Sequence, residues 1–179
     1  MDKKELRKKY ISVRKNIPED RRAEESKTIT DKLSKLLNNG NYTSLLMYAP
    51  KEYEVDILGL FDSVNGIPVY FPRCDKDEMD FYKVDDLSKL RSGCFGVREP
   101  DESCEIFVPR ENEKYLIVVP GTAFDRDGYR IGYGKGFYDK YLSRYAEYDF
   151  HKAGVCFTEC MTDDVLHDGF DVKMNEVIF

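Results

Sequence analysis

The stretch YLIVVPGTAFDRDGYRIGYGKGFYD, residues 115–139, holds an apolar run, a glycine-rich loop and the start of a periodic segment. Tyr115 to Val119 is unbroken apolar sequence, which predicts a strand buried on both faces, as in a mostly parallel sheet covered by helices. Gly128, Gly132, Gly134 and Gly136 then recur at every second or fourth position around Lys135. Glycine weakens strand and helix interiors alike, so these four read as loop. A helix follows over 137–148. In α/β folds ligands bind beyond the carboxyl ends of the strands, and this strand delivers its loop there. Bare glycine N–H groups and a helix N-terminus make an anion-binding concavity, to which Lys135 adds a mobile positive charge. Phosphate suits that chemistry. The common nucleotide fingerprints do not apply: a Walker A loop needs Ser or Thr where Gly136 stands, and the dinucleotide pattern needs glycine at Phe137. A purely structural hairpin is the competing reading, and the density of Arg130, Lys135 and Asp139 around the glycines weighs against it.

Outward from this loop, the remaining sequence alternates helices and strands. Residues 3–15 predict a helix with Leu6, Tyr10 and Val13 on one stripe, at about 100° per residue. Lys3, Arg7 and Arg14 share its edge, while Lys4, Lys8 and Lys15 face away. From the pattern alone, a solvated basic face and a set of cations reaching into a cleft are equally good readings of that edge. A second helix covers 16–37, with acids early and bases late as the helix dipole favours. TSLLMYAP (43–50) is a short buried strand, EVDILGLFDSVNG (54–66) a helix with a glycine stop, and IPVYFPR (67–73) another strand. Strand, helix, strand implies that the two strands are parallel. MDFYKV (79–84) is a third strand. Residues 86–114 are turn-rich, with RSGCFGVREP their compact piece. KAGVCFT (152–158) and NEVIF (175–179) close the chain as strands. No repeat or linker divides it. The expectation is one domain, 1–179, folded as a three-layer α/β/α sandwich around a mostly parallel sheet.

The 179 residues are 41% apolar and 35% charged, with a net charge of −6, which argues against a nucleic-acid surface. The charge is uneven, since residues 1–15 carry seven Lys/Arg against two acids. No apolar run is long enough for a membrane span, and the basic N-terminus lacks the apolar centre of a signal peptide. A cytoplasmic protein is expected, as a monomer or weak dimer with small-molecule partners and no nucleic-acid or membrane partner. The five cysteines form no metal-binding spacing and read as reduced thiols. His151 and His167 receive no role.

VVPGTAFDRDGYRIGYGKGFYDKYL (118–142) resembles the signature of the 5-formyltetrahydrofolate cyclo-ligases, close to P-G-x-A-F-D-x-x-G-x-R-L-G-x-G-x-G-Y-Y-D. Pro120, Gly121, Ala123, Phe124, Asp125, Gly128, Arg130, Gly132, Gly134, Gly136, Tyr138 and Asp139 match it. Ile131 and Phe137 are mild departures. KKELRKKYISVR, MYAPKEYEVD, VYFPRCDKDEMDFYKV, GCFGVREP and HDGFDVKMNEVIF are similar to further family segments in the same order. Phe170 stands where many members carry histidine.

The resemblance implies an enzyme that uses ATP and a divalent metal to close 5-formyltetrahydrofolate into 5,10-methenyltetrahydrofolate. It implies ATP binding by Lys3, Arg7, Arg14, Arg130, Gly132, Gly134, Lys135 and Gly136, and folate binding by Glu54, Tyr133, Phe137 and Tyr138. Lys135 and Tyr138 would be catalytic, and Asp139 and Asp171 would hold Mg²⁺. Without the family, a helix first-turn acid is the lesser, competing reading of Asp139, whereas Asp171 reads better as a surface acid and Glu54 by default as a helix-start acid.

Overall fold

The computed structural model describes residues 2–179. Helix α1 (Lys3–Asn16) opens with a capping box: the Asp2 carboxylate accepts from the Glu5 N–H and the Glu5 carboxylate from the Asp2 N–H. Pro18 separates it from α2 (Glu19–Asn39), which buries Ile29, Leu33 and Leu37 on one stripe. Strand β1 (Ser44–Leu46) follows, then the short α3 (Gly59–Asp62), β2 (Val69–Asp75) and β3 (Glu78–Lys83). β4 (Leu90–Ser92) and β5 (Arg98–Pro100) form a hairpin, and β6 (Lys114–Pro120) re-enters the core. β7 (Ala123–Asp125), β8 (Arg130–Ile131), α4 (Phe137–Arg144), β9 (Asp149–Val155), β10 (Met161–Thr162) and β11 (Glu176–Ile178) complete the chain.

The main sheet has the order β11-β9-β6-β1-β2-β3. All pairs are parallel except β2–β3, and β1 pairs with β2 in parallel as the strand–helix–strand pattern predicts. Tyr115 to Val119 of β6 are completely buried at its centre. Their alternation separates the layers. Tyr115 meets Phe150 of β9, and Phe150 meets Tyr141 of α4. His151, one residue on and on the opposite face, meets Tyr42 just beyond α2. The sheet thus lies between α2 and α4, in the predicted three-layer arrangement, over one continuous hydrophobic core.

The expected helix over 54–66 contracts to α3, a single turn. The backbone preceding it is held by other partners: Tyr48 Oη donates to Val55 O, Asp56 N to Ser26 Oγ, and Leu58 N to the Asp56 carboxylate. The helix expected over 137–148 ends at Arg144. The turn-rich 86–114 region contains the β4–β5 hairpin, and a second small sheet, β10-β7-β8, packs beside the first. Phe124 of β7 lies where a Cβ on Gly121 or Gly154 would come within 2.5 Å of its ring, so those glycines let the small sheet close on the ends of β6 and β9.

Candidate functional site

From β1 the chain first builds outward through β2 and β3, then crosses to the other side and builds through β6, β9 and β11. The reversal lies between β1 and β6, where open α/β sheets bind ligands. A cavity of about 220 Å³ opens there, lined at its floor by Tyr48, Pro72 and Pro120.

One wall carries Glu54. Its carboxylate is buried and held from two sides: Oε2 accepts from Lys51 N at 2.7 Å, and Oε1 from the Tyr133 hydroxyl. Tyr133 in turn accepts from Arg14 Nη2 at 2.9 Å. Tyr133 is partly exposed as a whole, while its hydroxyl is engaged by both Arg14 and Glu54. Burial, then the Glu54 charge, push the Tyr133 phenol up, so it keeps its proton and donates.

The facing wall is the glycine loop. Gly134 and Gly136 have φ of +96° and +66°, conformations that residues with a Cβ rarely adopt. Arg7 fills the space a side chain at Gly134 would take, and its Nε donates to Gly132 O at 2.6 Å. The loop ends at the N-terminus of α4, whose first turn has no side-chain cap and lines the cavity with Phe137, Tyr138 and Asp139. Lys135 is exposed on the loop, and its Nζ stands 5.5 Å from the Phe95 ring. Tyr138 packs against Phe81, and burial followed by the Glu54 charge raises its phenol.

The carboxylates at the mouth are paired with the cations assigned to the nucleotide. Arg130, nearly inaccessible, holds Asp139 Oδ1 at 3.0 Å and donates to Val172 O. Val172 N also donates to Asp139 Oδ1, which draws the segment bearing Asp171 against α4. Lys3 binds Asp171 Oδ2 at 2.5 Å and Asp168 Oδ2 at 3.0 Å. Partial burial alone would lower the Lys3 pKa, but these carboxylates raise it. Asp139 and Asp171 both make their bonds through one oxygen. Two hard carboxylates are the donor chemistry that Mg²⁺ takes, since it uses one or two such groups and fills its shell with water and phosphate oxygens.

Arg14 lies deeper than its edge position on α1 implies. It is buried, and its Nη1 points to Gly121 O at 3.4 Å. Among the sequence-derived site residues, Glu54, Arg130, Gly132, Tyr133, Lys135, Gly136, Phe137, Tyr138 and Asp139 line the cavity. Lys3, Arg7, Gly134 and Asp171 adjoin it through these contacts. Phe170, in place of the family's frequent histidine, is fully out in solvent at 86% exposure.

Three lining residues carried no signal strong enough to single them out. Lys51 places its Nζ 4.5 Å over the Tyr133 ring. Phe95, with φ of +57°, stands 6.3 Å from Phe137 at the lip. Glu99 is a second buried carboxylate, accepting from Cys74 N at 3.1 Å and Cys94 N at 3.2 Å. All three positions depend on how the β4–β5 hairpin and the 51–54 turn fold over the sheet, which no periodicity encodes. Asp125, by contrast, matches the signature but serves structure. Its carboxylate, almost wholly buried, accepts from Tyr129 N and Val165 N and closes the turn between β7 and β8.

The 5-formyltetrahydrofolate cyclo-ligase family model matches residues 1–179. The 5-formyltetrahydrofolate cyclo-ligase of Mycolicibacterium smegmatis is 29% identical over 98% of this chain and 92% of its own length. A probable 5-formyltetrahydrofolate cyclo-ligase of Schizosaccharomyces pombe is 33% identical, over 64% of this chain and 62% of its own length. The NMR structure of Aquifex aeolicus 5,10-methenyltetrahydrofolate synthetase superposes with a TM-score of 0.83 at 33% identity, covering 99% of this chain and 89% of that one. Matched by that model over residues 1–179, this chain belongs to the 5-formyltetrahydrofolate cyclo-ligase family.

Proposed function

We propose that the protein is an ATP-dependent 5-formyltetrahydrofolate cyclo-ligase, closing its substrate to 5,10-methenyltetrahydrofolate with release of ADP and phosphate. The observation that carries this reading is a single cavity with a buried carboxylate, Glu54, on one wall and a cationic glycine loop with a helix N-terminus on the other. The first suits a ring edge with two N–H donors, the second a phosphate chain. The cavity is below the roughly 300–1,000 Å³ of sites that enclose drug-sized ligands. It therefore takes the bicyclic head of a folate, leaving the remainder of both substrates at the open mouth.

The chemical problem is that a formyl oxygen leaves poorly. Transfer of the γ-phosphoryl group to that oxygen gives an iminium phosphate. The neighbouring folate nitrogen attacks its carbon, and phosphate departs. Little covalent work falls to the protein, so positioning and charge neutralisation dominate. Glu54 orients the ring. Phe137 and Tyr138 cover the formyl group and exclude water. The loop amides of Gly132, Gly134 and Gly136 receive phosphate oxygens, and Lys135 follows the charge as it moves. Lys3, Arg7 and Arg130 neutralise the nucleotide. Asp139 and Asp171 would hold Mg²⁺, which would supply neutralisation of phosphate charge.

The same reading takes residues 1–179 as one domain and a cytoplasmic enzyme, monomeric or weakly dimeric, with no nucleic-acid or membrane partner. Among the described residues no helix is long and apolar enough to cross a membrane. The test is to place a heavy oxygen isotope in the formyl group. The label should leave in inorganic phosphate. Label recovered in water would contradict phosphoryl transfer to that oxygen.

A further inference from the structure

Arg14 poses a problem that nucleotide binding does not solve. It is 6% exposed, its Nε has no hydrogen-bond partner among the described residues, and its bond to Gly121 O is long. A guanidinium buried for stability has its donors satisfied, because desolvation otherwise exceeds the gain. Only one of its contacts is short: Nη2 to the Tyr133 hydroxyl at 2.9 Å. That hydroxyl has a single proton, and accepting from Arg14 directs it at Glu54 Oε1. Lys51 N fixes the other oxygen, Oε2, at 2.7 Å. The carboxylate is therefore clamped through both oxygens, one by Lys51 N and one by the Tyr133 hydroxyl, while Glu54 lines the cavity. Each carboxylate oxygen can accept more than one hydrogen bond, which leaves two acceptors for a ligand.

We infer that Arg14 is a positioning residue that acts through Tyr133 on Glu54, setting the site's specificity for a ring edge that presents two adjacent N–H donors. This rests on the folate reading of the cavity and assigns Arg14 to the folate half of the site rather than to the nucleotide. The chain of contacts runs from α1 through the glycine loop to the 51–54 turn, so three separate elements meet at one carboxylate. Two cations also stand over the Tyr133 ring, with Arg14 Cζ at 5.7 Å and Lys51 Nζ at 4.5 Å from its centroid. This holds the ring as well as the hydroxyl.

Calorimetric titration of 5-formyltetrahydrofolate and of ATP, each alone, into wild type, Arg14→Met, Tyr133→Phe and the double variant tests this. Each single change should weaken folate binding about ten- to a hundredfold, the range for one hydrogen bond to a charged group. ATP binding should stay within about twofold. The double variant should be no weaker than the worse single, since both remove the same clamp. A loss of ATP affinity with folate affinity kept, or additive losses in the double variant, overturns the inference. If Arg14→Met does not fold, Tyr133→Phe removes only a hydroxyl, and unchanged folate affinity in it is equally fatal. If wild type binds no folate, the functional reading itself fails and the inference with it. If wild type binds and no variant differs, only the inference fails.

Discussion

Lys135 and Glu54 sit on opposite walls of one cavity and are constrained in opposite ways. Lys135 is exposed, flanked by two glycines in left-handed conformation, and its Nζ stands 5.5 Å from the Phe95 ring. Its removal should leave thermal stability unchanged. If its ammonium gains interaction as charge moves onto the formyl oxygen, Lys135→Ala should lower turnover by on the order of a hundredfold, as for loss of a preorganised charge donor. Steady-state kinetics would show this as a fall in kcat larger than the rise in the KM for ATP. A loss confined to ATP affinity would make Lys135 a binding residue only. Glu54 is buried and already accepts two hydrogen bonds. In Glu54→Gln one acceptor becomes a donor and must oppose Lys51 N–H, the Tyr133 hydroxyl or the incoming ring. Folate binding should weaken by about 2–3 kcal/mol while ATP binding is spared. Equal losses for both ligands by calorimetry would remove Glu54 from the folate site. The lysine was legible from its glycine surroundings. The clamp on Glu54 was not, because Tyr133 and, behind it, Arg14 lie 79 and 40 positions away in sequence and meet it only through tertiary packing.

At the scale of elements, the β4–β5 hairpin is the piece that sequence leaves open and the site needs. Its turn carries Phe95 and Cys94, and Glu99 fastens that turn to β2 through the Cys94 and Cys74 amides. Glu99→Ala strands two N–H groups, and a destabilisation of about 2 kcal/mol is expected. Hydrogen exchange should quicken at Cys74 and Cys94 while the β6 amides stay protected. Uniform acceleration across the sheet would mean that Glu99 supports the whole fold instead. The hairpin also separates the thiols. Cys94 is exposed, whereas burial, followed by the Glu99 charge, pushes the Cys74 thiol up to about 12. Burial raises Cys160 to about 12, and raises Cys104 and Cys156 as well. Burial thus disfavours the thiolate at all four, so near pH 8 a thiol reagent should label the exposed Cys94 quickly and the others slowly. Fast labelling of two or more sites would show that the hairpin opens. The hairpin was missed because its strands are three residues each and show no alternation. The helix expected at 54–66 failed for a related reason: the side chains of Ser26 in α2 and of Tyr48, just beyond β1, capture its backbone groups, and a local apolar pattern cannot register such competitors.

Across the whole molecule, the order of strands decides where chemistry can occur. The buried run of β6 and the glycine loop after it were readable because burial on both faces and loss of side chains leave direct marks on composition. From these two features the parallel sheet, its helical layers and the position of the loop follow. The switch point between β1 and β6 follows only from pairing, which joins residues about 70 positions apart, Ser44 with Tyr115. Pairing closes the cavity between a carboxylate wall and a phosphate wall, and the central claim is that both walls serve one reaction. The most direct measurement mixes the purified protein with 5-formyltetrahydrofolate, ATP and Mg²⁺ and follows the near-ultraviolet absorbance of the methenyl product. The account predicts a rise that requires all three components, with one ADP released per methenyl group formed. ATP hydrolysis without that rise, or a rise independent of ATP, would contradict it.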